Sequence, residues 1–136
     1  MAAAARAARR PGDHPGVPGP RRRGGDNAAT VPAALGAWRG VGVEPSGAGL
    51  ITLDAHHDLR DGRSNGSPVR RLVEAGLQGS RIVQVGIQDF ANSAAYAQRA
   101  VELGIAIETR AAVEEEPVGA IVQRALTIAG GLAGPI

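Results

Sequence analysis

The 136-residue chain contains no cysteine and no lysine, and only one residue each of Phe, Trp, Tyr and Met. Without cysteine there are no disulfides and no thiolate metal sites, and the chain needs no oxidising compartment. With so few aromatics, any core has to be built from Val, Ile, Leu and Ala, the usual filling of doubly wound sheets. The 43% apolar content suffices for one domain but leaves little to spare. No apolar run approaches the ~18 residues of a membrane-crossing helix. All basic residues are arginine, which together with the excess of Ala, Gly and Pro reads as a GC-rich coding sequence, not as nucleic-acid binding.

The net charge of +2 hides an asymmetry. Residues 1–23 hold Arg6, Arg9, Arg10, Arg21, Arg22 and Arg23 against Asp13 alone, so a tail of +5 is joined to a body, residues 24–136, of −3. The tail has no apolar periodicity, Pro11 stops any helix early, and Pro15 to Pro20 is almost all Pro and Gly, so residues 1–23 are expected to be disordered. A transit peptide, a phosphate-binding arm or a membrane-surface arm are the functional alternatives. A disturbed reading frame is another, because the Gly24-Gly25 turn should follow a strand and Pro18 to Arg23 cannot be one.

The most informative stretch is Leu50-Ile51-Thr52-Leu53-Asp54-Ala55-His56-His57-Asp58. Its apolar start, bounded by Gly49, reads as a short buried parallel strand. Ligands in open α/β sheets gather beyond the carboxyl ends of strands. If the backbone stays extended past Leu53, then Asp54, His56 and Asp58 converge while Ala55 and His57 point elsewhere. Two carboxylates and an imidazole suit manganese, iron or zinc. On spacing alone, the opposing reading is that Asp54 caps the strand end and His56 and Asp58 form a polar loop network. By the same alternation His57 belongs behind the site or on the surface.

Around this stretch the sequence predicts a helix over residues 27–38 capped by Asp26 or Asn27, and a polar loop over 59–68 long enough to line a pocket. A short helix follows, with Ser67 as N-cap, Pro68 in first position and Gly76 as stop. Strands are expected over 81–87 and 105–108. A helix capped by Asn92 or Ser93 should run to Leu103, with Gly104 just beyond. Glu114, Glu115 and Glu116 read as the acidic start of a last helix, entered through Pro117 and ending near Ile128 before Gly130-Gly131.

These residues resemble a family. Asp54-Ala55-His56-His57-Asp58 is similar to the Asp-Ala-His-x-Asp signature of the ureohydrolases, the arginase, agmatinase and formimidoylglutamase group. Gly24-Gly25-Asp26-Asn27 resembles the family's Gly-Gly-Asp-His turn, and Ser64-Asn65-Gly66 sits where arginases have a His-Gly pair. Val83 to Ile87 looks like the next family strand. Gln88-Asp89-Phe90-Ala91-Asn92-Ser93-Ala94-Ala95-Tyr96 is most similar to the formimidoylglutamase-like branch.

The resemblance implies an α/β fold, a three-layer α/β/α parallel sheet of the arginase type, here incomplete at both ends, with residues 24–136 as a partial domain. It also implies a hydrolase with two manganese ions that cleaves a C–N bond of a formimino or guanidino group. Asp54 would bridge both ions, His56 would bind one and Asp58 the other, and a bridging hydroxide would attack the substrate carbon. Asn27 stands where the family commonly has a metal-binding histidine and offers only an amide oxygen. Asn65 replaces the proton-shuttling histidine of arginases, which argues for a branch that works without it.

Arg60 and Arg63 flank the presumed pocket, and their guanidinium forks suit the carboxylates of a glutamate-derived substrate. N-formimidoyl-glutamate, from histidine degradation, is therefore the expected substrate, with an agmatinase or guanidinobutyrase as the enzyme alternative. A non-catalytic α/β protein whose basic tail binds an acidic partner is the alternative of another class. The expected partner is a small-molecule amidine, without nucleic acid or membrane. The complete protein is expected to be a cytoplasmic homo-oligomer, and this chain an inactive fragment of it.

Overall fold

The computed structural model describes residues 27–130. The basic tail, the Gly24-Gly25-Asp26 stretch and the C-terminal Gly131 to Ile136, including the second glycine of the expected helix stop, lie outside them. The elements run α1 (Thr30–Gly40), β1 (Leu50–Leu53), α2 (Pro68–Glu74), β2 (Ile82–Ile87), α3 (Ala94–Glu102), β3 (Ala106–Thr109), α4 (Arg110–Glu115) and α5 (Val118–Gly130). The three strands form one parallel sheet in the order β1-β2-β3, with Leu50 beside Ile82 and Val83 beside Ala106.

The strands occur where the apolar runs place them, and alternation of side chains divides the core into two halves. On one face Ile82 packs with Ala48, Leu59, Val69, Leu72, Leu77 and Ala100 beneath α1, α2 and α3, and Trp38 closes that layer. On the other, Val83 and Val85 pack with Ile121, Ala125 and Ala129 of α5, with Val113 of α4 alongside. Helices thus cover both faces, the three-layer α/β/α arrangement that parallel strands require. Coverage is uneven: Leu53, at the carboxyl end of β1, is 81% exposed, and α5 carries Val118, Val122 and Leu126 on its outer side.

Helix ends follow local chemistry. Ser93 caps α3 by accepting the Tyr96 N–H, as its position predicts. α2 and α3 both finish at a glycine in the left-handed region, Gly76 and Gly104, and the next residue bonds back to the last turn: Leu77 N–H to Leu72 O and Ile105 N–H to Ala100 O, each 3.0 Å.

Three expectations need correction, the first only in part. Ser67 and Pro68 stand at the N-cap and the start of α2 as expected, but the Ser67 side chain makes no cap bond; its buried hydroxyl donates to Ser64 O at 2.8 Å and accepts from Ser64 N–H at 3.0 Å, closing the loop that carries Asn65. The helix at residue 27 begins as a 3-10 turn over Asn27–Ala29, and α1 has no side-chain cap. The glutamate tract does not begin the last helix: Glu114 and Glu115 end α4, a separate helix capped by Thr109 and braced by an Arg110–Glu114 pair. Glu116 instead joins Glu108 in holding Arg124 of α5, and hydrogen bonding from Arg124 keeps the Glu108 carboxyl below its ordinary range.

Candidate active site

The chain leaves β1 with one more sheet bond, Asp54 N–H to Val85 O at 3.1 Å, and then turns across the carboxyl end of β2. It does not stay extended, so the expected convergence has another origin. The turn is clamped from behind. Asn92 accepts the His57 N–H at 2.9 Å and donates to Ala55 O at 2.8 Å and to Gln88 O at 2.9 Å. Gln84, fully buried in β2, meets the His57 ring at Nδ1, 2.6 Å away, and donates to His57 O at 2.9 Å. His57 is accordingly 2% exposed, its Nδ1 turned to Gln84 of the sheet, and it forms part of the floor of the adjoining cleft.

With His57 held inward, its neighbours are displayed outward. His56 is exposed, and its backbone N–H and Nδ1 approach Asp54 Oδ1 at 3.0 and 3.1 Å. Asp58 adopts φ +54°, a left-handed conformation that costs most residues about 1 kcal/mol and that Asp tolerates better than most. Burial first, and then the Asp54 carboxylate, push the Asp58 carboxyl up to about 6, against the opposing pull of His56 and Arg60. Asn27 reaches the same carboxylate, its Nδ2 lying 3.4 Å from Asp58 Oδ2.

A cleft of about 440 Å³ opens beside them, and its lining includes Asn27, His56, His57, Asp58, Arg60 and Asn65. Arg60 is anchored through its backbone, its N–H donating to Gly66 O at 2.9 Å and its carbonyl accepting from Arg70 Nε at 2.7 Å, and its side chain lies over Gly66. Arg63 is exposed and is not part of the cleft lining. Asp61 also stands aside, bound to Arg99 Nη1 at 2.9 Å, while the same guanidinium lies 5.5 Å from the Tyr96 ring centre.

The structure therefore brings Asn27, His56, His57, Asp58, Arg60 and Asn65 to one cleft, ties Asp54 to that group only through His56, and leaves Arg63 outside. Of the two residues that organise the turn, Gln84 is not singled out from sequence, and Asn92 is singled out only as a helix-cap candidate and as part of the family-like segment, a cap that Ser93 provides instead. The signal for Gln84 was available, as the one polar side chain in a strand otherwise apolar or glycine.

The sequence model of the arginase family matches residues 22–136. The chain belongs to the arginase family. It is 40% identical over 91 residues to a formimidoylglutamase from Halalkalibacterium halodurans, covering 63% of this chain and 27% of that protein. It is 39% identical over 72 residues to the formimidoylglutamase of Bacillus subtilis, covering 49% of this chain and 23% of that one. The chain thus spans about a quarter of the length of the curated relatives it matches. Among solved structures, a Trypanosoma cruzi formiminoglutamase with manganese superposes at a TM-score of 0.69 and 27% identity, over 78% of this chain and 37% of that chain. A hypothetical agmatinase from Burkholderia thailandensis does so at 0.61 and 31% identity, over 79% and 32%.

The family position makes manganese the ion to test against these residues. Carboxylate and imidazole donors are the right chemistry for it. The number and arrangement fall short: among the described residues no three His, Cys, Asp or Glu side chains gather into a ligand group, and Asp54 Oδ1 faces His56. The described residues do not form a site for a pair of ions.

Proposed function

We propose that this chain carries one part of the active site of a formimidoylglutamase-like hydrolase that cleaves the C–N bond of a formimino group. Asp54, His56 and Asp58, with Asn27 beside them, are the chain's share of the manganese ligands; the remaining donors come from elsewhere in a complete enzyme. Arg60 and Asn65, which share the cleft lining, face the substrate, and Arg63 serves at most at the cleft's outer edge. A complete enzyme of this kind acts in the cytoplasm on a small amidine from histidine breakdown, as a homo-oligomer.

The observation that carries this reading is the display of His56, Asp58 and Arg60 around one cleft at the carboxyl end of the sheet, with Asp54 joined to His56, where ligands of open α/β sheets collect. The arginine beside the ligands favours a substrate with a carboxylate. Agmatine offers none.

The test is an assay of a full-length enzyme bearing this segment, loaded with manganese, on formimidoylglutamate, agmatine and arginine, alongside Arg60→Ala. Formimidoylglutamate should be preferred. Losing an arginine–carboxylate contact in a closed site costs about 2–5 kcal/mol, so Arg60→Ala should lower kcat/KM on it by more than tenfold. Preference for agmatine, or unchanged kinetics in the variant, would move the assignment to an agmatinase or guanidinobutyrase.

A further inference from the structure

Gln84 lies in the central strand, in register with Thr52 on one side and Ile107 on the other, so its side chain starts from the most constrained backbone in the sheet. Its amide meets His57 at two atoms. A backbone carbonyl can only accept, so the amide atom 2.9 Å from His57 O is the NH2 group. The amide oxygen is then the atom 2.6 Å from His57 Nδ1, and that nitrogen has to carry a hydrogen. The carbonyl of His57 thus dictates the tautomer of its own ring through Gln84.

The same two bonds hold the residue that precedes Asp58, whose φ of +54° sends its carboxylate toward Asn27 and the cleft. Asn92 holds the His57 N–H from the other side. With both ends of His57 tied down, residue 58 has to make the reversal in one step.

We infer that Gln84 is a positioning residue of the cleft: its amide fixes His57 as the Nδ1–H imidazole and, through it, the left-handed backbone of Asp58 that presents this carboxylate and His56 to the cleft. The inference rests on the cleft being the functional site. It gives the buried second histidine of the Asp-Ala-His-His-Asp stretch a task in holding the backbone of the cleft.

The experiment is long-range 1H–15N correlation of the histidine rings in the intact, ¹⁵N-labelled chain, with the backbone HN–Hα coupling of Asp58 as the second readout. The native chain should show His57 only as the Nδ1–H form, and an Asp58 coupling that reports a left-handed φ. Two variants separate positioning from core filling: Gln84→Leu, and Gln84→Leu combined with His57→Leu, which replaces both polar partners by apolar groups. The double variant should melt near the native temperature and still lose the left-handed coupling at Asp58.

An Nε2–H ring in the native chain would overturn the inference. So would a double variant that keeps the Asp58 coupling, or one that fails to fold, since Gln84 would then be a core residue first. Neither readout involves metal or substrate. If manganese and substrate assays failed while both readouts held, the reading of the cleft would fall and the clamp would stand.

Discussion

Replacing Asp58 by Asn is expected to raise the melting temperature of the metal-free chain at neutral pH while removing its binding of manganese. The folded state holds the Asp58 carboxyl at about 6, above its ordinary 3.8, because burial and the neighbouring Asp54 disfavour the charge. Well above pH 6 the carboxylate is ionised in both states, and the folded chain bears the full penalty. As pH falls through 6 the folded state takes up its proton first, so the penalty shrinks, and it is gone below the unfolded value.

The side chain is half-buried, so solvent screening reduces the effect to on the order of 1 kcal/mol, or roughly 4–8 °C. Asn tolerates the left-handed backbone as well as Asp does, and its amide oxygen can still accept from Asn27. Calorimetric melting of both proteins above pH 7 and below about pH 4 checks this. The gain should be confined to the higher pH; a lower melting temperature for the variant there would mean that Asp58 is a stabilising group and not a functional one.

The second large effect lies behind the site. A Cβ on Gly49 would land on the carbonyl oxygen of Ala129 in α5, backbone against backbone, with no flexible side chain to give way. Gly49 leads directly into β1, so the strand that holds Asp54 would have to move. Gly49→Ala is expected to cost at least about 3 kcal/mol, a large share of the 5–15 kcal/mol that keeps a domain folded. Gly119→Ala is the control, because nothing lies within 4 Å of its added Cβ and alanine is the better helix former by about 0.5–1 kcal/mol. Urea melts should show the first variant largely unfolded and the second unchanged or more stable. Equal midpoints for the two would mean that α5 does not pack against the entry to β1.

Much of this architecture is legible in the sequence because its strands are short apolar runs between turn residues. Leu50 to Leu53 is read to the residue, and Ile82 to Ile87 and Ala106 to Thr109 within one. Ser93 and Gly104 announce α3 because capping chemistry is local. α4 is not legible, since six residues beginning Arg110-Ala-Ala have no room for a helical period and depend on Thr109 and one ion pair. At the site, sequence alternation sets His57 apart from His56 and Asp58, and the structure does bury its ring against Gln84, although the backbone there turns and Asp54 stays out of the cleft lining.

What alternation cannot reach is the cause. Gln84 and Asn92 act across 27 and 35 residues of chain on His57, and no spacing rule relates residues so far apart. Arg63 shows the opposite limit: a basic residue near a site in sequence points out of the cleft in space, as an exposed loop residue is free to do.

The central claim is that Asp54, His56 and Asp58 are this chain's share of a metal site that needs further donors to be complete. Calorimetric titration of the chain with manganese, repeated on His56→Ala, tests it most directly. One weak site at most, lost in the variant, is the predicted result. Two tight sites, or binding that survives His56→Ala unchanged, would contradict it.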